Sequence, residues 1–180
     1  MVSRILKKGF TLIEILIVIG IIGLLLLGAV PIFSTYDKKL AIKSGAMLVR
    51  SAIWEAQALA MGPHLKDIEY YWLEFQSGSS EFDLGFKEEE KGEAKFKTFI
   101  LPQKPVPVVK IEKIYLDSGQ INKIKVKFFI TEKGGKTKFE TDSEEQSEKD
   151  LKIQLKRSNY FYCINLNRIT GQVLIKRGKC

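Results

Sequence analysis

Glu14 is the side chain whose surroundings most need an explanation: it stands at the head of a stretch, Ile15–Phe33, that runs 19 residues without a charge. An acidic group at the centre of a membrane helix costs about 2.5–3.5 kcal/mol, less towards an end, so this carboxylate calls for a partner or a task. Few other residues could do chemistry. Cys163 and Cys180 are the two cysteines; joined, they close a loop worth on the order of 3 kcal/mol in the chain-entropy picture and tie down a tail that otherwise frays, and unjoined they are two thiols. The single histidine, His64, sits beside an expected helix stop, with no HExxH, CxxC or Ser-His-Asp set. No catalytic residue, metal ligand or cofactor is assigned on this pattern, and the chain reads as not being an enzyme. The acids of Glu140–Asp150 lack the order and the glycine of an EF-hand and read as a solvated loop.

The C-terminal end has a different character. Leu151–Cys180 contains no Asp or Glu, while Lys152, Lys156, Arg157, Arg168, Lys176, Arg177 and Lys179 are all basic, with Tyr160, Phe161 and Tyr162 among them. Lysines beside aromatics can hold single-stranded DNA by phosphate attraction and base stacking. The plainer alternative is an alternating strand with lysines in water and aromatics in the core. The formal charge of the whole chain is +8.

These groups must be positioned by elements that the periodicity marks out. Starting at Phe10, 24 residues of helix reach roughly 36 Å, enough to cross a hydrocarbon layer about 30 Å thick. Arg4, Lys7 and Lys8 precede the run with no acid among them, so the positive-inside bias keeps residues 1–9 in the cytoplasm and sends the rest across. The expected location is the inner (cytoplasmic) membrane, single-pass, with the C-terminal part extracytoplasmic and in contact with lipid along the apolar run. Beyond it, Ile42, Ala46, Val49, Ile53, Ala56 and Ala60 recur in steps of four and three, interrupted by Gly45 alone. Pro31 is expected to bend the helix and Gly62-Pro63 to end it. One helix over 10–62 follows, membrane-spanning to about 33 and amphipathic after that.

From residue 63 the pattern changes to short β-branched and aromatic runs: Ile68–Phe75, Ala94–Leu101, Val106–Leu116, Ile121–Thr131, Leu151–Lys156, Tyr160–Asn165 and Gln172–Ile175. Hairpin-length gaps predict antiparallel pairing, with lysines of the Ile124–Phe128 segment facing water. The fold class is therefore α+β, a long N-terminal helix laid on one face of an antiparallel β-sheet domain spanning 63–180. Gly85–Glu93 reads as a second solvated loop, and Trp54 and Trp72 as core anchors between helix and sheet.

Lys7-Lys8-Gly9-Phe10-Thr11-Leu12-Ile13-Glu14, placed just before the apolar run, resembles the processing site of type IV prepilins. An ordinary secretory signal would be cut after its apolar segment rather than before it. The resemblance implies a leader over 1–9, cleavage by prepilin peptidase between Gly9 and Phe10, N-methylation of the Phe10 amine, and a helix-bending role for Pro31. The cut would supply the missing partner of Glu14: a positive amine one helical turn upstream, on its own chain or on a neighbour. Leu48–Met61 is similar to the corresponding helix of H-type pseudopilins and related minor pilins. Implied partners are prepilin peptidase, other pilins or pseudopilins and an inner-membrane assembly platform. Three roles remain open: a structural minor pilin or type II secretion pseudopilin, a DNA-binding minor pilin of a transformation pilus, and an anchored envelope domain that never polymerises.

Overall fold

A computed structural model describes residues 11–62, 68–104, 107–116, 119–129, 136–141, 145–146, 150–167 and 169–180, with backbone alone for 27–34, 136–141 and 145–146. The chain divides into two units, Met1–Asp37 and Lys38–Cys180. The first helix, α1 (Leu12–Met61), contributes to both. Its backbone passes Pro31 without a break. It closes where the Gly62 N–H donates to the Leu59 carbonyl at 3.3 Å.

Among the described residues eleven strands follow, in two antiparallel sheets. They are β1 (Ile68–Gln76), β2 (Glu81–Glu88), β3 (Gly92–Ile100), β4 (Lys110–Leu116), β5 (Gly119–Ile121), β6 (Lys123–Phe129), β7 (Lys136–Thr141), β8 (Glu145–Gln146), β9 (Leu151–Arg157), β10 (Tyr160–Leu166) and β11 (Val173–Arg177). The first sheet runs β3-β2-β1-β6-β7-β8 and the second β11-β10-β9-β4-β5. The expected single sheet is thus corrected to two, between which the chain alternates. Short turns pair neighbours in sequence, whereas β1 with β6 and β4 with β9 are long-range pairings that no local pattern encodes.

The apolar stripe of the C-terminal half of α1 meets both sheets. Ile42, Ala46, Val49, Ile53, Ala56 and Ala60 are buried in one cluster with Leu73 and Phe75 of β1, Val126 of β6, Ile114 of β4 and Ile153 of β9. Small residues on the stripe allow close approach. At Gly45 a Cβ would stand 3.2 Å from Val109 Cγ1 and 3.4 Å from Pro102 Cδ, so the connection after β3 packs directly on the helix backbone.

The outward face of the first sheet is also partly dry. Tyr70 and Trp72 alternate with the core residues Tyr71, Leu73 and Phe75 and are buried on the opposite side. Lys125 covers the Trp72 ring at 4.9 Å and Lys127 the Tyr70 ring at 4.8 Å, attractive contacts between cation and ring face. The lysines of β6 do point away from the core as expected, yet they roof two aromatics instead of standing free. Trp72 is a buried anchor, although outside the helix–sheet core. Trp54 departs further from expectation: it is exposed, with the Arg50 guanidinium 4.0 Å over its ring.

Gly85–Glu93, expected as a loop, holds the end of β2 and the start of β3. Its run of acids and lysines lies on a hairpin whose outer side is wet. Glu140–Asp150 likewise contains the end of β7 and the short β8; residues 142–144 and 147–149, and His64, lie outside the described residues.

Candidate functional site

At the start of α1, Thr11 acts as the N-cap: its carbonyl accepts from the N–H groups of Glu14 at 3.1 Å and Ile15 at 3.3 Å, and its hydroxyl accepts from Glu14 N–H at 3.4 Å. Thr11-x-x-Glu14 is therefore a capping-box sequence, with the carboxylate at the third helical position, where the dipole favours negative charge. Glu14 is exposed. Gly9 and Phe10 lie outside the described residues, and of Pro31 only the backbone is described. The helix begins at Leu12, two residues later than periodicity suggested, because Thr11 is spent on capping.

Behind Glu14, from Ile15 to Leu26, the helix has no polar side. Every side chain described from Leu12 to Leu26 is exposed, Leu12 at 80% and Leu24 at 73%. A helix that is apolar all round has to be buried in something, a protein core or a lipid layer. Among the described residues no helix is long and apolar enough to cross a membrane. The uncharged run of the sequence continues to Phe33, past the last described side chain of that stretch.

At the other end of the chain, Cys163 and Cys180 are joined in a disulfide with a Cα–Cα distance of 5.1 Å. The bond lays the C-terminal tail on the outward face of the second sheet. There the Cys180 N–H donates to Gln154 Oε1 at 3.0 Å, and Gln154 Nε2 donates to Glu112 Oε2 at 2.7 Å. Glu112 also pairs with Lys156 at 2.5 Å. Burial pushes the Glu112 carboxyl up, but its hydrogen bonds from Lys156 and Gln154 and the charges of Lys156 and Lys113 outweigh this and hold it below the usual carboxylate value.

The basic residues singled out at this end separate into two sets. Lys152 and Lys156 on β9 share the outward face with Cys163 and Phe161, and Lys176 is the cross-strand partner of Cys163. The Lys179 ammonium lies 5.2 Å from the Phe161 ring centroid and that of Lys156 5.6 Å. Arg157 falls on the core side of β9 and is 1% exposed, so it presents nothing to a phosphate. Arg177 is exposed but pairs across with Tyr162, on the other side of β11. Arg168 lies outside the described residues. Sequence reasoning missed Lys113 and Glu112, which join this face through the pairing of β4 with β9 and the bulge between Ile111 and Lys113. Among the described residues no group of three or more His, Cys, Asp or Glu is placed to hold a metal ion.

Glu14, three residues past the threonine cap and at the head of an apolar helix, sits within a segment that a known family motif matches. The prokaryotic N-terminal methylation motif matches residues 5–30. The chain carries the type IV prepilin signature. The match takes in Gly9, Phe10 and Glu14 and stops one residue short of Pro31. No curated protein and no solved structure matches the chain. The α+β architecture, a helix packed on antiparallel sheets, is consistent with a pilin-like fold.

Proposed function

We propose that this prepilin is a structural minor pilin or type II secretion pseudopilin. Prepilin peptidase cuts it between Gly9 and Phe10 and the new Phe10 amine is methylated; the apolar half of α1 then holds it in the cytoplasmic membrane until assembly, with the β-rich domain extracytoplasmic. It is the substrate of an enzyme and has no catalysis of its own. One observation carries the reading: within the matched motif, α1 exposes apolar side chains on all sides from Leu12 to Leu26, with Glu14 the sole charge among them. Such a surface is useful only to lipid or to other helices. Packed helices supply contact, and the carboxylate of Glu14 meeting a Phe10 amine supplies register.

The deciding measurement is the mass of the membrane-extracted protein from cells with an active prepilin peptidase. A polypeptide beginning at methylated Phe10 is expected. One retaining Met1–Gly9 rejects the processing step, and a correctly processed chain that never joins a filament favours an anchored, non-polymerising envelope domain.

A second reading, a DNA-binding minor pilin, is supported by the outward face of the second sheet. Lys113, Lys152, Lys156 and Lys176 gather there around Phe161 and the C-terminal Lys179, although Glu112 neutralises part of that charge. Affinity for single-stranded DNA that falls steeply with added salt, and falls again in Lys152→Glu, is the expected signature. No binding at low ionic strength removes this reading.

A further inference from the structure

Two contacts fix how β10 lies along the C-terminal half of α1. At its start the Lys39 ammonium stands 5.7 Å over the Tyr160 ring. In the turn after it, the Gly171 carbonyl accepts from Gln57 Nε2 at 2.9 Å, and Gln57 is about five helical turns beyond Lys39. Antiparallel pairing then gathers one end of the second sheet beside Lys39: the start of β4 at Lys110, the end of β9 at Lys156, the start of β10 at Tyr160 and the end of β11 at Arg177. The tip of this end is the β9–β10 turn, where Ser158 and Asn159 are exposed.

The sheet end is positively charged and partly apolar. Lys39, Lys110, Arg177 and Lys179 are exposed, and none of them forms an ion pair among the described residues. Lys156 lies with them but is engaged by Glu112, and the disulfide holds Cys180 further along the sheet, beside Gln154. Tyr160 and Phe161 are half-buried under Lys39 and Lys179, so cations ride on aromatic surface, as they do where proteins meet lipid headgroups. On α1 between Glu14 and Glu55 the sole acid is Asp37, against Lys38, Lys39 and Lys43. What lies near this end is set by the chain. Lys39 follows Phe33, the last residue of the uncharged run, by six residues; as helix these advance about 9 Å, and fully extended no more than about 22 Å. Tyr36, between them, is 64% exposed and of a type that collects at the membrane–water boundary. Cations this close to an anionic surface are drawn to it, since screening at physiological salt acts over about 8 Å.

We propose that this end of the second sheet docks on the anionic phospholipid headgroups of the membrane that holds α1, through Lys39, Lys110, Arg177 and Lys179, with the Ser158–Asn159 turn at the contact. The proposal rests on α1 being a membrane anchor and goes beyond it: an anchor alone leaves the domain on a stalk, whereas this contact holds it against the lipid. It also differs from the DNA reading, whose Lys113, Lys152 and Lys176 lie further along the outward face.

Full-length protein with its disulfide kept, reconstituted in vesicles of phosphatidylcholine or of an equal mixture with phosphatidylglycerol, tests this. A headgroup spin label in the lipid quenches a fluorophore carried on Asn159→Cys or, as the distant control, on Ile169→Cys, which is 90% exposed in the same turn as Gly171. Quenching at Asn159→Cys is expected to be severalfold stronger in the anionic vesicles and to fall to the neutral level in high salt, with no such difference at Ile169→Cys. Adding Lys110→Glu and Arg177→Glu should abolish the anionic preference; the salt response of the chain without them stands even if that variant folds poorly. Equal quenching of the Asn159→Cys probe in both lipids overturns the docking, an equal gain at Ile169→Cys overturns the assigned face, and a preference that survives in the folded charge variant overturns the assigned residues. A response of the Asn159→Cys probe to a single-stranded oligonucleotide but not to anionic lipid makes this end a nucleic-acid face and overturns the proposal. Flotation tells the two failures apart: protein that floats with neutral vesicles yet shows no anionic preference is anchored and undocked, whereas protein that does not float with them lacks the anchor, and the docking falls with it.

Discussion

The indole of Trp72 occupies the space that a side chain on Gly85 would need. The two residues are cross-strand partners of β1 and β2. A Cβ on Gly85 would fall inside the ring and against the Ala94 carbonyl oxygen. Neither can give way, since one is a rigid aromatic under Lys125 and the other is ladder backbone. Gly85→Ala is therefore expected to destabilise the domain by about 1–3 kcal/mol through overpacking, read as a lower thermal midpoint of the intact protein. An unchanged midpoint would show that this face is loose.

The same pair shows where the sequence is silent. Helix, strand type and the inward set of β1 follow from spacing that any apolar pattern reveals. That Gly85–Glu93 is a hairpin arm rather than a loop does not, because β2 and β3 are held by Trp72 on a neighbouring strand while their own wet side is charged. The buried stripe of α1 was legible because it repeats every three to four residues. At the C-terminal end, seven basic residues looked equivalent in the sequence; strand alternation alone would have set Arg157 on the side of Ile153 and Leu155.

The disulfide should hold the tail and little else. Cys180→Ser is expected to lower stability by about 3 kcal/mol, as cross-link entropy predicts for a loop of this length. Reductant should lower the denaturation midpoint of the unmodified protein to that of the variant and leave the variant itself unmoved. A reductant effect of equal size in both would mean that the Cys163–Cys180 bond is not what reductant acts on.

Acid should loosen both outward faces. Burial pushes the Glu93 carboxyl up, but hydrogen bonds from Lys125 and Tyr70, with the charges of Lys125 and Lys127, prevail and hold it below its usual value, as they do for Glu112 with its own partners. A depressed native value means that the stabilisation is present at neutral pH. It is lost as pH falls from the ordinary glutamate value, about 4.3, through the lower native one. Glu93→Gln and Glu112→Gln should each flatten the decline in unfolding free energy over that window, measured by denaturant titration at a series of pH values. A decline as steep as in the unmodified chain would assign the acid sensitivity elsewhere.

Glu14→Ala should leave the protein membrane-bound and its domain folded, while lowering its recovery in sheared filaments at least tenfold. Thr11→Ala, which removes the hydroxyl but not the charge, should have a much smaller effect. Equal recovery of Glu14→Ala and the parent would dismiss charge matching as the guide to assembly.

The weaving of the chain between its sheets also governs when the domain can come into being. β4 and β5 are laid down early as an isolated pair, and such a hairpin has little stability in water. Their remaining partners, β9 to β11, arrive only after residue 150. Until then the buried stripe of α1 lacks the cover that Leu151, Ile153, Leu155, Ile164 and Leu166 give the shared core. Completion waits on the last thirty residues and on contacts spanning much of the sequence, which slows the search. A ribosome that stalls near Asp150, or a protease that clips there, leaves the second sheet without its three C-terminal strands.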